Sequence, residues 1–199
     1  MVGTIGPLVK VARGTWLVAT LAFVGASTAA GLALFSSVAE VRHLLGWSPR
    51  SALPLLIALL LAAALADLNP AFQRAPSLGT RVPRSWWERF GATVGATFYG
   101  AVLGLGVTTI VPYAGFYALL GSSFFLDVSG AAFVGATFGL ARALPVVLAS
   151  VAIAVGVDPA VVGDETSRID RRIVRKSSAT ILIAIAVGLV ATAVDGASG

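Results

Sequence analysis

The sequence predicts an all-α fold, a polytopic bundle of transmembrane helices, on three observations. Mean hydropathy is +0.92, with 57% hydrophobic and 12% charged residues, against about 25% charged in an ordinary soluble domain. The apolar residues come in long runs and the charges collect between them. A span consumes about 20 residues. The chain of 199 residues is therefore expected to form one integral membrane domain, 1–199, with five spans, or six if Pro112–Ser122 re-enters the bilayer.

The pI near 10.4 would fit nucleic-acid binding, but basic residues placed between apolar runs are those that set membrane topology. No nucleic-acid partner is expected. The absence of cysteine excludes disulfides, thiolate metal sites and thiol redox chemistry by this chain's own side chains. A lone histidine, His43, cannot build a multi-histidine centre, so neither metal nor cofactor is expected.

The first span is read over 15–38. Lys10 and Arg13 precede it as they would a signal peptide, but the run exceeds a signal core of about 7–15 residues, so an uncleaved span is expected. Its small residues, Gly25, Ala26, Ser27, Ala29, Ala30 and Gly31, allow a neighbouring helix to approach closely. Gly46–Pro49 marks a turn. The second span, 52–67, is uniformly apolar and carries Pro54 in its first turn, where a missing N–H costs little. The loop 67–89 is basic and broken by Pro70, Pro76 and Pro83, and Trp86 and Trp87 form an interfacial belt.

Residues 90–150 organise the chain. The third span, 90–111, carries Gly91, Gly95, Gly100 and Gly104 as small-xxx-small packing positions, and Pro112 ends it. The segment after Pro112 is either an interfacial helix or a re-entrant one. The fourth span, 128–155, repeats the theme with Gly135 and Gly139, and Pro145 is expected to kink it. The pentapeptide VGATF occurs at Val94–Phe98 and again at Val134–Phe138. The loop 158–176 is the most charged part, and its RIDRRIVRK portion suits an anionic leaflet. The fifth span is 178–194.

With a cytoplasmic N-terminus, the inner segments hold Lys10, Arg13, Arg74, Arg81, Arg84, Arg89, Arg168, Arg171, Arg172, Arg175 and Lys176, against Arg42 and Arg50 outside. That bias predicts an N-in, C-out topology and a multi-pass location in a bacterial cytoplasmic (inner) membrane.

Arg142 is the sharpest single residue. A cation at mid-span costs at least about 2.5–3.5 kcal/mol on insertion scales. It either contacts an anion or substrate carboxylate, or it snorkels or pairs structurally with Asp127 or Glu40 from an outer end. Thr108, Thr109, Pro112 and Tyr113 form a second cluster: two hydroxyls, a proline that frees carbonyls, and a phenol. Broken helices of this kind build substrate sites in carriers, although threonines also bond to their own helix. Asp67 and Asp127 read as helix-end residues. No enzyme constellation is present in the sequence.

FYGAVLGLGVTTIVPY and GLARALP together resemble the second half of the CcdA/DsbD-type membrane proteins of cytochrome c biogenesis. The shared pattern is a glycine-spaced helix, a proline followed by a key residue, and a helix ending in glycine-x-x-x-proline. In that family the residue after the proline is a reactive cysteine; here it is Tyr113. The resemblance implies a carrier-like scaffold without thiol chemistry. The expected function is thus a small transporter-like protein, its pathway lined by Thr108, Thr109, Pro112, Tyr113, Arg142 and Pro145. The alternative is a non-catalytic integral subunit or assembly factor that packs against membrane-protein partners or further copies of itself. In both cases the lipid bilayer is the first partner.

Overall fold

The structure, a computed structural model, describes residues 13–46, 49–69, 85–106, 114–158, 161 and 171–195. Every regular element among them is helical. In chain order they are α1 (Arg13–Leu45), α2 (Pro49–Leu68), α3 (Ser85–Gly104), α4 (Gly115–Ser122) with a 3₁₀ turn at Ser123–Phe125, α5 (Val128–Ala154) and α6 (Arg171–Asp195).

The expected number of spans is corrected. Among the described residues, two helices are long and apolar enough to cross a membrane, Gly14–Leu45 and Val128–Ala154, rather than five or six. Among the described residues, Leu53–Leu68 and Lys176–Val187 are shorter apolar stretches within α2 and α6. The third expected span is broken by Gly91 (φ 78°, ψ 170°), a conformation essentially confined to glycine. The helical stretch after it closes at Gly104, roughly 20 Å on. With these spans removed, the N-in, C-out count and the multi-pass location in the cytoplasmic membrane lose their basis.

Other boundaries moved for equally plain reasons. Helix α1 continues through Ala39–Leu45, past the expected end of the first span at 38, because nothing there interrupts helical hydrogen bonding. It stops at Gly46 (φ 66°), whose N–H donates to the His43 carbonyl at 3.2 Å, a glycine stop at a helix C-terminus. Pro145 lies inside α5, which runs unbroken around it. The ring removes the bond to the carbonyl four residues back. Both Pro145 and Ala141 lie on the exposed side of the helix.

The chain divides into two compact units. The first comprises 1–34, 78–109 and 132–169, the second 35–77, 110–131 and 170–199. In the first, α1 presents Ala19, Phe23, Ser27 and Gly31 at four-residue spacing, all buried. Helix α5 answers with Gly135, Gly139 and Ala143, and α3 with Ala96, Gly100 and Gly104, also buried. A Cβ on Gly100 would strike the Phe23 carbonyl and one on Gly104 the Ser27 carbonyl, so α3 runs parallel to α1. A Cβ on Gly139 would strike the Ser27 backbone, and one on Gly31 the Gly135 carbonyl, so α5 runs antiparallel. Ala19, Phe23, Ala96 and Ala143 form the core, with Val24, Tyr99, Leu103 and Val146 packed against it.

The two VGATF copies behave alike: Thr97 and Thr137 each return their hydroxyl to the carbonyl four residues back, at 2.9 Å. Gly95 is buried. Gly91 is exposed with open space around it, so it is a chain break and not the packing glycine expected. Gly91→Ala should therefore destabilise by about 1–3 kcal/mol through backbone strain alone. A thermal midpoint unchanged from wild type would refute that assignment.

In the second unit, α2 packs along α6 and receives α4 across it. Leu60, Ala63, Ala64, Ala118, Ala179, Leu182 and Ala186 form its core. Gly121 leaves room for the Leu59 side chain, which a Cβ there would strike.

Candidate functional site

The polar chemistry of the first unit gathers where three helices meet. Ser27 is fully buried, and its hydroxyl donates to the Gly139 carbonyl at 2.8 Å. Glycines on both flanking helices, Gly104 and Gly139, press on the same Ser27 peptide, which has no side-chain layer between itself and its neighbours. One turn along α5, the Arg142 guanidinium sits 5.6 Å from the centre of the Phe138 ring, within cation–π range. Its charge also acts on the phenol of Tyr99, whose ring stacks on Phe23 at 5.7 Å between centroids. Arg142 is half-buried, its guanidinium over the Phe138 ring.

Tyr99 is a phenol that the sequence alone does not single out; the one expected from sequence is Tyr113. The available signal was helical spacing: Tyr99 precedes Gly100, the glycine that brings α3 against α1. On α1, Trp16 Nε1 and Thr20 Oγ1 are buried without a hydrogen-bond partner and lie one turn apart on the helix. Of the expected pathway residues, Arg142 and Pro145 lie on α5, Arg142 among these rings and Pro145 exposed. Thr108, Thr109, Pro112 and Tyr113 lie outside the described residues. The packing glycines Gly100, Gly104, Gly135 and Gly139 converge on α1.

The second unit holds a different polar node. Asp67, near the end of α2, is 4% exposed. Its Oδ1 accepts the Ala114 N–H at 2.6 Å, and its Oδ2 accepts the Gly115 N–H at 3.2 Å and the Ser178 hydroxyl at 2.9 Å. One carboxylate thus ties α2, the start of α4 and the first turns of α6 together. At a helix N-terminus the backbone N–H groups are otherwise unpaired, and a negative charge is favoured there. With Ser178 at Asp67 and Ala186 and Val190 beside Ile57 and Leu61, α6 runs antiparallel to α2.

Asp127 caps α5. Its carboxylate accepts the Ser129 hydroxyl and, at 3.2 Å, the Gly130 N–H. The hydroxyl bond first, and the backbone bond second, hold this exposed carboxyl below its ordinary value of 3.8. A group depressed on folding stabilises fully above that ordinary value and loses its contribution as pH falls through the folded one. Acidification below about pH 4 should therefore destabilise the wild type more than Asp127→Asn. Equal slopes for the two proteins in that window would count against the cap. Arg42, 9% exposed, is close enough to act on Asp127, whereas the Arg142 pairing with Asp127 considered from sequence is not what lowers that carboxyl.

Among the described residues no group of three or more His, Asp or Glu side chains could hold a metal ion. No family model, no curated protein and no solved structure matches this chain.

Proposed function

We propose that this protein is a non-catalytic, membrane-associated helical subunit. Its α1/α5 pair acts as the anchor, and its outer apolar faces lie against lipid or a partner membrane protein. The observation that carries this reading is the distribution of residues on that antiparallel pair. Everything small or polar at the crossing (Ser27, Gly31, Gly135, Gly139) is turned inward, while Leu17, Leu21, Phe133, Leu140, Leu144 and Leu148 are exposed at between 51% and 74%. A row of exposed large apolar side chains on helices of spanning length needs an apolar surrounding.

The cysteine-free chain permits a direct test. Single cysteines at Leu21 and Leu140 should resist a water-soluble maleimide in intact vesicles and react once detergent is added, while one at Glu40 reacts in both. Reaction at Leu21 in intact vesicles to the extent seen at Glu40 would overturn the anchor.

A second, transporter-like reading rests on Arg142, set mid-helix in α5 over Phe138 and within electrostatic reach of Tyr99, with the unpartnered Trp16 Nε1 and Thr20 Oγ1 on the neighbouring helix. A cation inside a spanning helix marks pathways in many carriers, and the CcdA/DsbD resemblance points the same way. A cysteine at Tyr99 separates the two readings. Labelling from both vesicle faces means alternating access, and protection from both means a packed bundle. Gly139 is a poor reporter, since any Cβ there meets the Ser27 backbone.

A further inference from the structure

We infer that the second unit carries a binding site for an anionic phospholipid, its acyl chain in a groove between α2 and α6 and its phosphate at the basic start of α6. The groove has a volume of about 280 Å³ and is lined by Ile57, Leu61, Ala186, Val187 and Val190, with no polar surface. Leu61, Val187 and Val190 are 41%, 61% and 45% exposed, so its mouth opens outward. An apolar trough this open is a poor host for water, which needs polar partners.

The occupant follows from charge placement. Helix α6 begins with Arg171, Arg172, Arg175 and Lys176, and Lys176 is exposed. Because Asp67 meets Ser178 while Ile57 and Leu61 lie beside Ala186 and Val190, α2 and α6 are antiparallel and this basic turn lies at the Asp67 end of the pair. Asp67 already accepts from three donors. From Lys176 to Ala186 the helix rises roughly 15 Å. That is about half of a hydrocarbon core, the depth of one leaflet, so a headgroup at Lys176 puts the far end of its acyl chain in the groove. Basic residues beside an apolar surface are what anionic lipids recognise, and a zwitterionic lipid would fill the groove equally well while gaining less at the basic turn.

The inference rests on the membrane association proposed above. Its test is native mass spectrometry of the full chain in detergent, with phosphatidylglycerol or phosphatidylcholine of matched chains added. The expected result is one retained phosphatidylglycerol, held at least tenfold over phosphatidylcholine. Val190→Trp, which fills the trough, and Leu61→Gln, which makes it polar, should each lower retention of both lipids about tenfold. The double variant Arg175→Glu, Lys176→Glu should erase the preference while leaving phosphatidylcholine at its former level. Equal retention of both lipids, indifferent to Val190→Trp, would overturn the site. So would a lipid-free dimer that Val190→Trp converts to monomer, since a second copy would then cover the groove. A chain that resists alkaline carbonate extraction yet shows no preference loses only this site. Release by carbonate removes the membrane reading itself.

Discussion

Gly139→Ala should be the most damaging single-methyl substitution in the first unit, lowering stability by roughly 3 kcal/mol or more. The added Cβ meets the Ser27 carbonyl and the Thr28 Cα. These are backbone atoms in the middle of a helix, which cannot swing aside as a side chain can. Relief requires α1 and α5 to separate, and separation stretches the 2.8 Å bond from Ser27 to the Gly139 carbonyl. Gly104→Ala applies the same pressure to the same peptide from α3, so the two variants share a partner and their effects should not add. Once one glycine face has been forced off α1, the second substitution meets space already opened. Gly25→Ala is the control: nothing lies within 4 Å of a Cβ there, and replacing a helical glycine should leave stability unchanged or raise it by about 0.5–1 kcal/mol. Thermal unfolding of the purified chain in detergent reads all four proteins. A Gly139→Ala midpoint equal to that of Gly25→Ala would show that the helices are not in backbone contact.

Small-residue spacing was the legible part of this site. Gly100, Gly104, Gly135 and Gly139 stand out in sequence because four-residue repeats of small side chains have few uses other than close helix approach. Helical character was legible too, since long apolar runs have few other outcomes. The number of membrane-length helices was not, because hydropathy counts apolar residues and does not register where the backbone breaks. Gly91 looks like any other glycine of the series, yet its φ of 78° divides a run that composition alone reads as continuous. Conversely, Gly46 closes α1 seven residues beyond the expected end, because Glu40, Arg42 and His43 are charged or polar without being helix breakers. The aromatic surroundings of Arg142 were half legible. Phe138 lies four residues before it, on the same face of the helix. Tyr99, whose phenol feels the Arg142 charge, comes from a different helix, and no local pattern reports proximity of that kind.

Asp67→Ala should cost the second unit roughly 3 kcal/mol, since it strands three donors around one buried carboxylate. Hydrogen bonds to an ionised acceptor contribute about 1.5–3 kcal/mol each, and a buried donor left unpaired costs about 1–3; water entering the vacated space offsets part of the sum. Asp67→Asn separates geometry from charge. Its amide oxygen can still accept from one side, and Ser178 can rotate its hydroxyl to accept from the new NH₂ group. One of the two backbone N–H groups, Ala114 or Gly115, then faces a donor, so the asparagine variant should fall between wild type and alanine. Ser178→Ala removes a single neutral donor and should cost about 1 kcal/mol. The readout must be local, because the first unit has its own core. Amide hydrogen exchange over Gly115–Ser122 and the first turns of α6 should accelerate in the order Ser178→Ala, Asp67→Asn, Asp67→Ala. Protection in α3, which lies wholly in the first unit, should stay as it was. If Asp67→Asn exchanges as fast as Asp67→Ala, the carboxylate's charge at the α4 N-terminus does the holding. If all three match wild type, α4 is fixed by its apolar contacts through Phe116 and Ala118, both buried, and Asp67 is a passenger at the end of α2.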